Sequence, residues 1–279
     1  MLDKLEELGV ADDVVTSFIG DHGWSLGEAD VTCKMTPDER GTRIPFIISD
    51  PRLKETQGTH TQALAEAVDL YPTLVELAMG GPPTGQGTSD LGGQSLVPVL
   101  KDPVKTVVKD VALTQFPRCW QNTSSVNFDD TRGWPGDENN HTASWDSMSD
   151  CHWVHRDGLD YMAYSIRTSG AYLGEWRYTE WVEWDGELLR PDWGKVVGRE
   201  LFNHTGDDGL AWVYDDPVVG EYVNFANDPR MQDEVAKLSS RLKQEVATYM
   251  TPNPPAAPYH AATAASGSGS GFESNSGSM

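Results

Sequence analysis

Bases are scarce in this chain. Its 279 residues hold 21 Lys and Arg against 43 Asp and Glu, a formal net charge of -22. A general basic face for nucleic acid is therefore excluded. An anionic ligand meets a repulsive long-range field here, so any anion site must rest on a local group of Lys and Arg. The bland reading of the acidic surface is solubility. Long hydrophobic runs are also missing, since nothing approaches the ~20 consecutive apolar residues of a membrane-spanning helix. The opening Met1-Leu2-Asp3-Lys4-Leu5-Glu6-Glu7 reads as a charged amphipathic helix start, not as the apolar core of a signal peptide. Cysteines number three, too few for a disulfide scaffold. Cys119 and Cys151 bracket a polar insert and can pair, which leaves Cys33 odd. Asn122, Asn140 and Asn203 each open a glycosylation sequon, which matters only in a secretory compartment. No internal repeat is visible.

Apolar residues make up 38% of the chain, enough for a core in one large domain or two small ones. Leu2, Leu5 and Leu8 recur at near-helical spacing, and Gly9 can stop that helix. Val14 to Ile19 reads as a buried strand. Ile44 to Ser49 reads as a second, stopped by Asp50-Pro51. Residues 20–43 between them form a loop. Pro72 suits the first turn of a helix through Leu74, Leu77 and Ala78, closed at Gly80-Gly81-Pro82-Pro83. This order predicts an α/β layer. Residues 80–95 have surface-loop composition. Residues 119–160 form a long polar insert. The period then changes. Tyr161 to Thr168 and Trp176 to Trp184 alternate as antiparallel strands do, and Gly198 to Asn203 can add another. Met231, Val235, Leu238, Leu242 and Val246 make one helical stripe behind Asp228 and Pro229. From Thr251 the composition predicts a disordered tail. The expected organisation is an α/β portion over 1–118, an insert over 119–160, an antiparallel-sheet subdomain with a terminal helix over 161–250, and a tail over 251–279.

The most informative run is Gly20-Asp21-His22-Gly23-Trp24-Ser25-Leu26-Gly27-Glu28, with Lys34 beyond it. An acid and an imidazole sit where a strand empties into a loop, which is where ligand sites form in open α/β sheets. Carboxylate oxygen suits a hard cation, and neutral imidazole is a common metal ligand. A lysine nearby can hold an anion. On the residues alone, Asp-His-Gly reads equally well as a turn that Asp21 caps, and Lys34 as a surface lysine.

The pattern extends further. Asp-His-Gly-Trp-x-Leu-Gly-Glu, with a lysine thirteen positions after the aspartate, resembles the second signature of sulfatases, and within them the iduronate-2-sulfatase-like branch. Similar segments follow in order: Glu39 to Ile48, Glu66 to Leu74, Gly93 to Leu96, Gln115 to Arg118, Tyr164 to Thr168, Arg177 to Thr179 and Glu200 to Asn203. Together they span about residues 1–250. The resemblance implies an α/β fold of the alkaline-phosphatase-like type, a mixed or parallel sheet with flanking helices, plus a small C-terminal antiparallel sheet packed on a helix. It also implies Ca²⁺ held by Asp21 and His22. Lys34 is the implied catalytic and sulfate-contacting residue. Arg118 lies in the region that lines the family's substrate pocket, where a guanidinium can read a sugar carboxylate through paired hydrogen bonds; a surface arginine is the equal alternative. Arg43 reads as an ion-pair partner of Glu39, and Arg167 as a structural residue. Most of the ten tryptophans read as packing, with a sugar-stacking surface as the alternative.

One family feature is missing. The formylglycine nucleophile arises from Cys/Ser-x-Pro-x-Arg, and none of Cys33, Cys119 or Cys151 stands in that context, nor does any serine. The family's amino-terminal Asp-Asp pair, which adds metal oxygens, is absent too. The sequence therefore predicts a sulfuric ester hydrolase acting on a sulfated uronic acid or polysaccharide, inactive as this chain alone, with a complementing amino-terminal half as partner. It would be lysosomal or secreted if a longer form carries a signal peptide. The alternatives are a non-catalytic glycan- or partner-binding relative, and hydrolysis of phosphate or phosphonate esters.

Overall fold

The computed structural model describes residues 1–27, 32–34, 36–81, 92–118, 151, 155–170, 172–207 and 221–250. The expectations for Glu28, Cys119, the sequons at Asn122 and Asn140, and the tail from Thr251 lie outside them. Cys33 is a free thiol and Cys151 is disulfide-bonded.

The C-terminal part carries the core. Strands β5 (Val111–Arg118), β6 (Tyr161–Thr168), β7 (Trp176–Asp185) and β8 (Arg190–Asn203) form one antiparallel sheet in the order β5-β6-β7-β8. β5, which the sequence grouping places with the α/β portion, pairs with β6 from Val111↔Thr168 to Arg118↔Tyr161. β8 starts eight residues before the predicted Gly198 and shifts register against β7 between Trp181 and Glu183. Alternation decides the two faces. Tyr164, Ile166, Tyr178, Val182 and Leu201 pack on helix α5 (Gln232–Tyr249) through Val235, Leu238, Leu242 and Val246. Each fully buried leucine of that stripe contributes roughly 1.5–3 kcal/mol of transfer free energy. Asp228 starts the helix as expected, accepting the Arg230 N–H on its side chain. The opposite face buries polar groups: Ser165, Arg167, Arg177 and Thr179.

The N-terminal part is differently built. Helix α1 (Leu2–Glu7) buries no residue. β1 (Thr16–Ile19) pairs antiparallel with β4 (Phe46–Ser49), and β2 (Ser25–Leu26) with β3 (Thr32–Cys33). Helix α2 (Glu39–Thr42) is a single turn. Helix α3 (Leu70–Met79) ends at Gly80, whose φ of 75° is the left-handed conformation glycine adopts freely. Helix α4 is Val97–Lys101. Every strand pairing among the described residues is antiparallel.

The predicted burial of Val14 to Ile19 does not hold. Phe18 is 61% exposed and its cross-strand partner Ile47 58%. A two-stranded ribbon has two faces and two edges, and among the described residues no layer covers this face. The other face, with Phe46 and Ile48, turns to a cavity.

A buried lysine joins the two parts. Lys109 Nζ lies 2.6 Å from Glu66 and 2.7 Å from Asp69, with only 8% of its side chain exposed. Glu66 also accepts the Leu113 N–H of β5 at 2.8 Å. Residues 1–249 cluster as one unit.

Candidate functional site

Strand β1 ends at Ile19 and delivers Asp21 and His22 into a turn. Gly23 follows because its backbone lies against α2. Its N–H donates to Gly41 O at 3.0 Å, and a Cβ at this position would stand 1.9 Å from Arg40 O. His22 Nδ1 donates to Gly23 O at 2.8 Å. That bond fixes the tautomer and leaves the Nε2 lone pair outward, as metal-ligating histidines are arranged. Asp21 Oδ2 lies 3.4 Å from His22 Nε2. Two ligand atoms at that separation can share one ion about 2.3–2.6 Å from each. Lys34 Nζ approaches the same Nε2, at 2.5 Å. It stands where a cation would bind and must swing aside for one. Asp21 is 89% exposed on its side chain and His22 31%, so both can take up further ligands.

These three residues share a cavity of about 710 Å³. Arg43, Arg167 and Arg177 reach it with Glu39 and Asp207, and Ile44, Phe46, Leu96 and Val99 give it an apolar wall. A mainly apolar pocket with a few convergent polar groups is the usual form of a small-molecule site.

Arg118 is placed elsewhere. It is 6% exposed at the end of β5, with its guanidinium 5.0 Å from the Phe116 ring and 5.2 Å from the Trp181 ring. Burial lowers its pKa to about 10, against the raising effect of Asp38 and Glu200. It does not line the cavity. Arg43 makes the expected pair with Glu39 at 3.5 Å and a second with Asp207 at 3.5 Å.

Sequence reasoning missed one cluster. Glu39, His204 and Glu221 each offer a ligand atom, all within 4.8 Å of one another, and all are buried. Arg177 already stands among them, pairing with Glu39 and with Glu221 Oε1 at 2.9 Å. A guanidinium stays charged in proteins, so a fixed cation fills the place a metal ion would need. Burial opposes ionisation of Glu39, but the charges of Arg177, His204 and Arg167 hold its pKa down to about 2. Burial likewise opposes protonation of His204, but its hydrogen bond to Asp207 Oδ2 at 3.0 Å and the Glu221 carboxylate 3.6 Å from its Nε2 outweigh it, so its pKa is raised. The partners stand 138 and 182 residues apart in sequence, a distance at which no local motif gives a signal.

The sulfatase family model matches residues 1–81. Iduronate 2-sulfatase of Mus musculus is 25% identical over 240 residues, covering 72% of this chain and 38% of that protein. Among solved structures, phosphonate monoester hydrolase from Silicibacter pomeroyi superposes on 89% of this chain and 38% of its own, with a TM-score of 0.55 and 21% identity. A structure in complex with its substrate D-glucosamine-2-N,6-O-disulfate covers 89% of this chain and 37% of its own, with a TM-score of 0.51 and 19% identity. The chain spans between 8% and 38% of the length of the first curated relatives it matches. The fold is therefore alkaline-phosphatase-like, an α/β portion joined to an antiparallel sheet with its helix. The sulfatase likeness rests on the family-model match over residues 1–81 and on partial similarity to these relatives.

Proposed function

We propose that this chain carries the cation and sulfate contacts of a sulfuric ester hydrolase of the iduronate-2-sulfatase type, acting on a sulfated uronic acid or polysaccharide. The observation that carries the reading is the convergence of Asp21 Oδ2, His22 Nε2 and Lys34 Nζ at one cavity. Asp21 and His22 would hold the divalent cation, Ca²⁺ by family resemblance. Bound there, the ion supplies positive charge against the charge that develops on sulfate oxygen during S–O cleavage. Lys34, once released from His22, donates to a sulfate oxygen and adds a second positive charge at that end. The apolar wall takes the ring face of the sugar and excludes water from it. Arg118, stacked and buried, acts on the pocket by supporting its wall. On this reading the residues before β5 make up the catalytic α/β portion, and the β5–β8 sheet with α5 is the subdomain that backs it.

The chain has no Cys/Ser-x-Pro-x-Arg, and on this reading the nucleophile would be supplied by a complementing amino-terminal half. The exposed Phe18–Ile47 face and the edges of the β1–β4 ribbon, unpaired among the described residues, suit strand addition by such a segment. Release of sulfate from a sulfated uronate tests this. The isolated chain is expected to release none. Adding a separately produced amino-terminal sulfatase segment with the nucleophile motif is expected to produce turnover. Hydrolysis by the isolated chain contradicts the reading. The missing motif also favours a second reading, in which the cavity binds an anionic glycan without chemistry. Glycan binding that survives Asp21→Ala with His22→Ala supports that reading instead.

A further inference from the structure

The Asp21–His22–Lys34 turn leans on α2, and α2 does not hold itself. It is four residues long, with no side-chain cap at its N-cap Asp38. A single helical turn is not stable alone, because nucleation fixes several dihedrals for one hydrogen bond. Its place is set from the C-terminal sheet. Arg177, 3% exposed on β7, donates through Nη1 to Pro37 O at 3.1 Å and through Nη2 to Thr42 Oγ1 at 3.2 Å, and it pairs with Glu39. One planar guanidinium thus grips both ends of the turn, a task that needs the fixed fork of arginine. Glu221, 1% exposed, accepts the Glu39 N–H at 2.8–2.9 Å on its two oxygens, and its Oε1 makes an ion pair with Arg177 Nε at 2.9 Å. From α2 the chain of contacts continues to Gly23, whose N–H donates to Gly41 O, and through Gly23 O to His22 Nδ1.

We propose that Arg177 and Glu221 are positioning residues for the Asp21–His22–Lys34 site, acting through α2 and Gly23 to fix the tautomer and aim of His22. The functional consequence rests on the cation-site reading above, whereas the positioning itself does not. Groups that orient a metal ligand from behind are worth about 10–100-fold in metal affinity. Glu221→Gln keeps the shape of the side chain but removes the charge and one acceptor oxygen. Arg177→Lys removes the fork. Thr42→Val is the mild variant, removing one of the guanidinium's bonds and the Thr42 Oγ1 bond to Asp38 O at 2.9 Å.

The test is a long-range ¹H–¹⁵N spectrum of the imidazoles of the 279-residue chain and of these variants, with circular dichroism as the check on folding. The parent chain is expected to show His22 as a single Nδ1–H tautomer. The folded variants are expected to show His22 as a tautomer mixture, and an about tenfold weaker response of its Nε2 signal to added CaCl₂. A merely structural role would lower the melting temperature and leave the tautomer alone. An unchanged His22 spectrum in folded Glu221→Gln overturns the proposal; if that variant and Arg177→Lys unfold, an unchanged spectrum in Thr42→Val does so. If the tautomer shifts in the variants while the parent chain ignores CaCl₂, the positioning stands and the cation-site reading fails.

Discussion

At the scale of single residues, the sequence pointed to side chains that the fold brings together where they are neighbours in the chain. Asp21 and His22 are adjacent, and Lys34 returns to them within one short excursion. Arg118 shows the limit of that reading. Its motif marks a pocket region, but the guanidinium stacks on Phe116 and Trp181 and does not line the cavity. Two predictions belong here. Lys34→Met should weaken inorganic sulfate binding about tenfold, the loss of roughly 1.4 kcal/mol that one half-buried charge-assisted contact supplies. Isothermal titration with sodium sulfate in the presence of CaCl₂ checks it, and unchanged affinity removes Lys34 from the site. Gly23→Ala should destabilise the chain by about 1–3 kcal/mol, because its Cβ would meet Arg40 O at 1.9 Å and the turn must shift. A denaturant midpoint equal to that of the parent chain contradicts that packing.

At the scale of elements, periodicity located β6, β7 and α5 well, because one face of each is buried against the others. Leu238 is fully buried in the α5 stripe, so Leu238→Ala should cost about 2–5 kcal/mol in chemical denaturation. A loss below ~1 kcal/mol would mean that α5 does not seal the sheet. The β1–β4 ribbon behaves differently. Its apolar run reads as buried, yet the Phe18–Ile47 face is open. Hydrophobicity reports what a strand is suited to pack against, and the packing layer has to be supplied by other residues. α2 was not predicted as a helix at all, since its position comes from Arg177 on β7 and from Glu221, both far from it in sequence.

At the scale of the whole molecule, buried charge joins the two parts of the fold. Glu39, Arg177, Glu221 and His204 form the junction, with Lys109, Glu66 and Asp69 as a second fastening. Breaking one partner of a buried pair leaves an uncompensated charge, so Arg177→Met should cost about 3–5 kcal/mol. The pH dependence follows with its sign. The Glu39 carboxyl lies below its ordinary 4.5, at about 2, so its stabilisation is present above pH 4.5 and fades as pH falls toward 2. His204 lies above its ordinary 6.5, so its stabilisation is complete below pH 6.5 and is lost as pH rises through the elevated value. The urea midpoint should therefore be greatest at about pH 5.5 and lower at about pH 3 and about pH 9. A midpoint that climbs steadily from pH 5.5 to 9 contradicts the junction as described. The net charge of -22 draws cations and repels anions over the whole surface, so a sulfate group needs a cation at the site before it can dwell there.

On the proposed function, Asp21 and His22 hold a divalent cation beside Lys34. Calorimetric titration of CaCl₂ into the chain, in parallel with Asp21→Ala and His22→Ala, tests it most directly. Two side chains complete little of the 6–8-oxygen shell Ca²⁺ prefers, so the predicted result is weak saturable binding, with Kd about 10⁻⁴–10⁻³ M, that either substitution removes. Binding of equal strength in both variants, or no saturable binding by the folded parent chain, would contradict the claim.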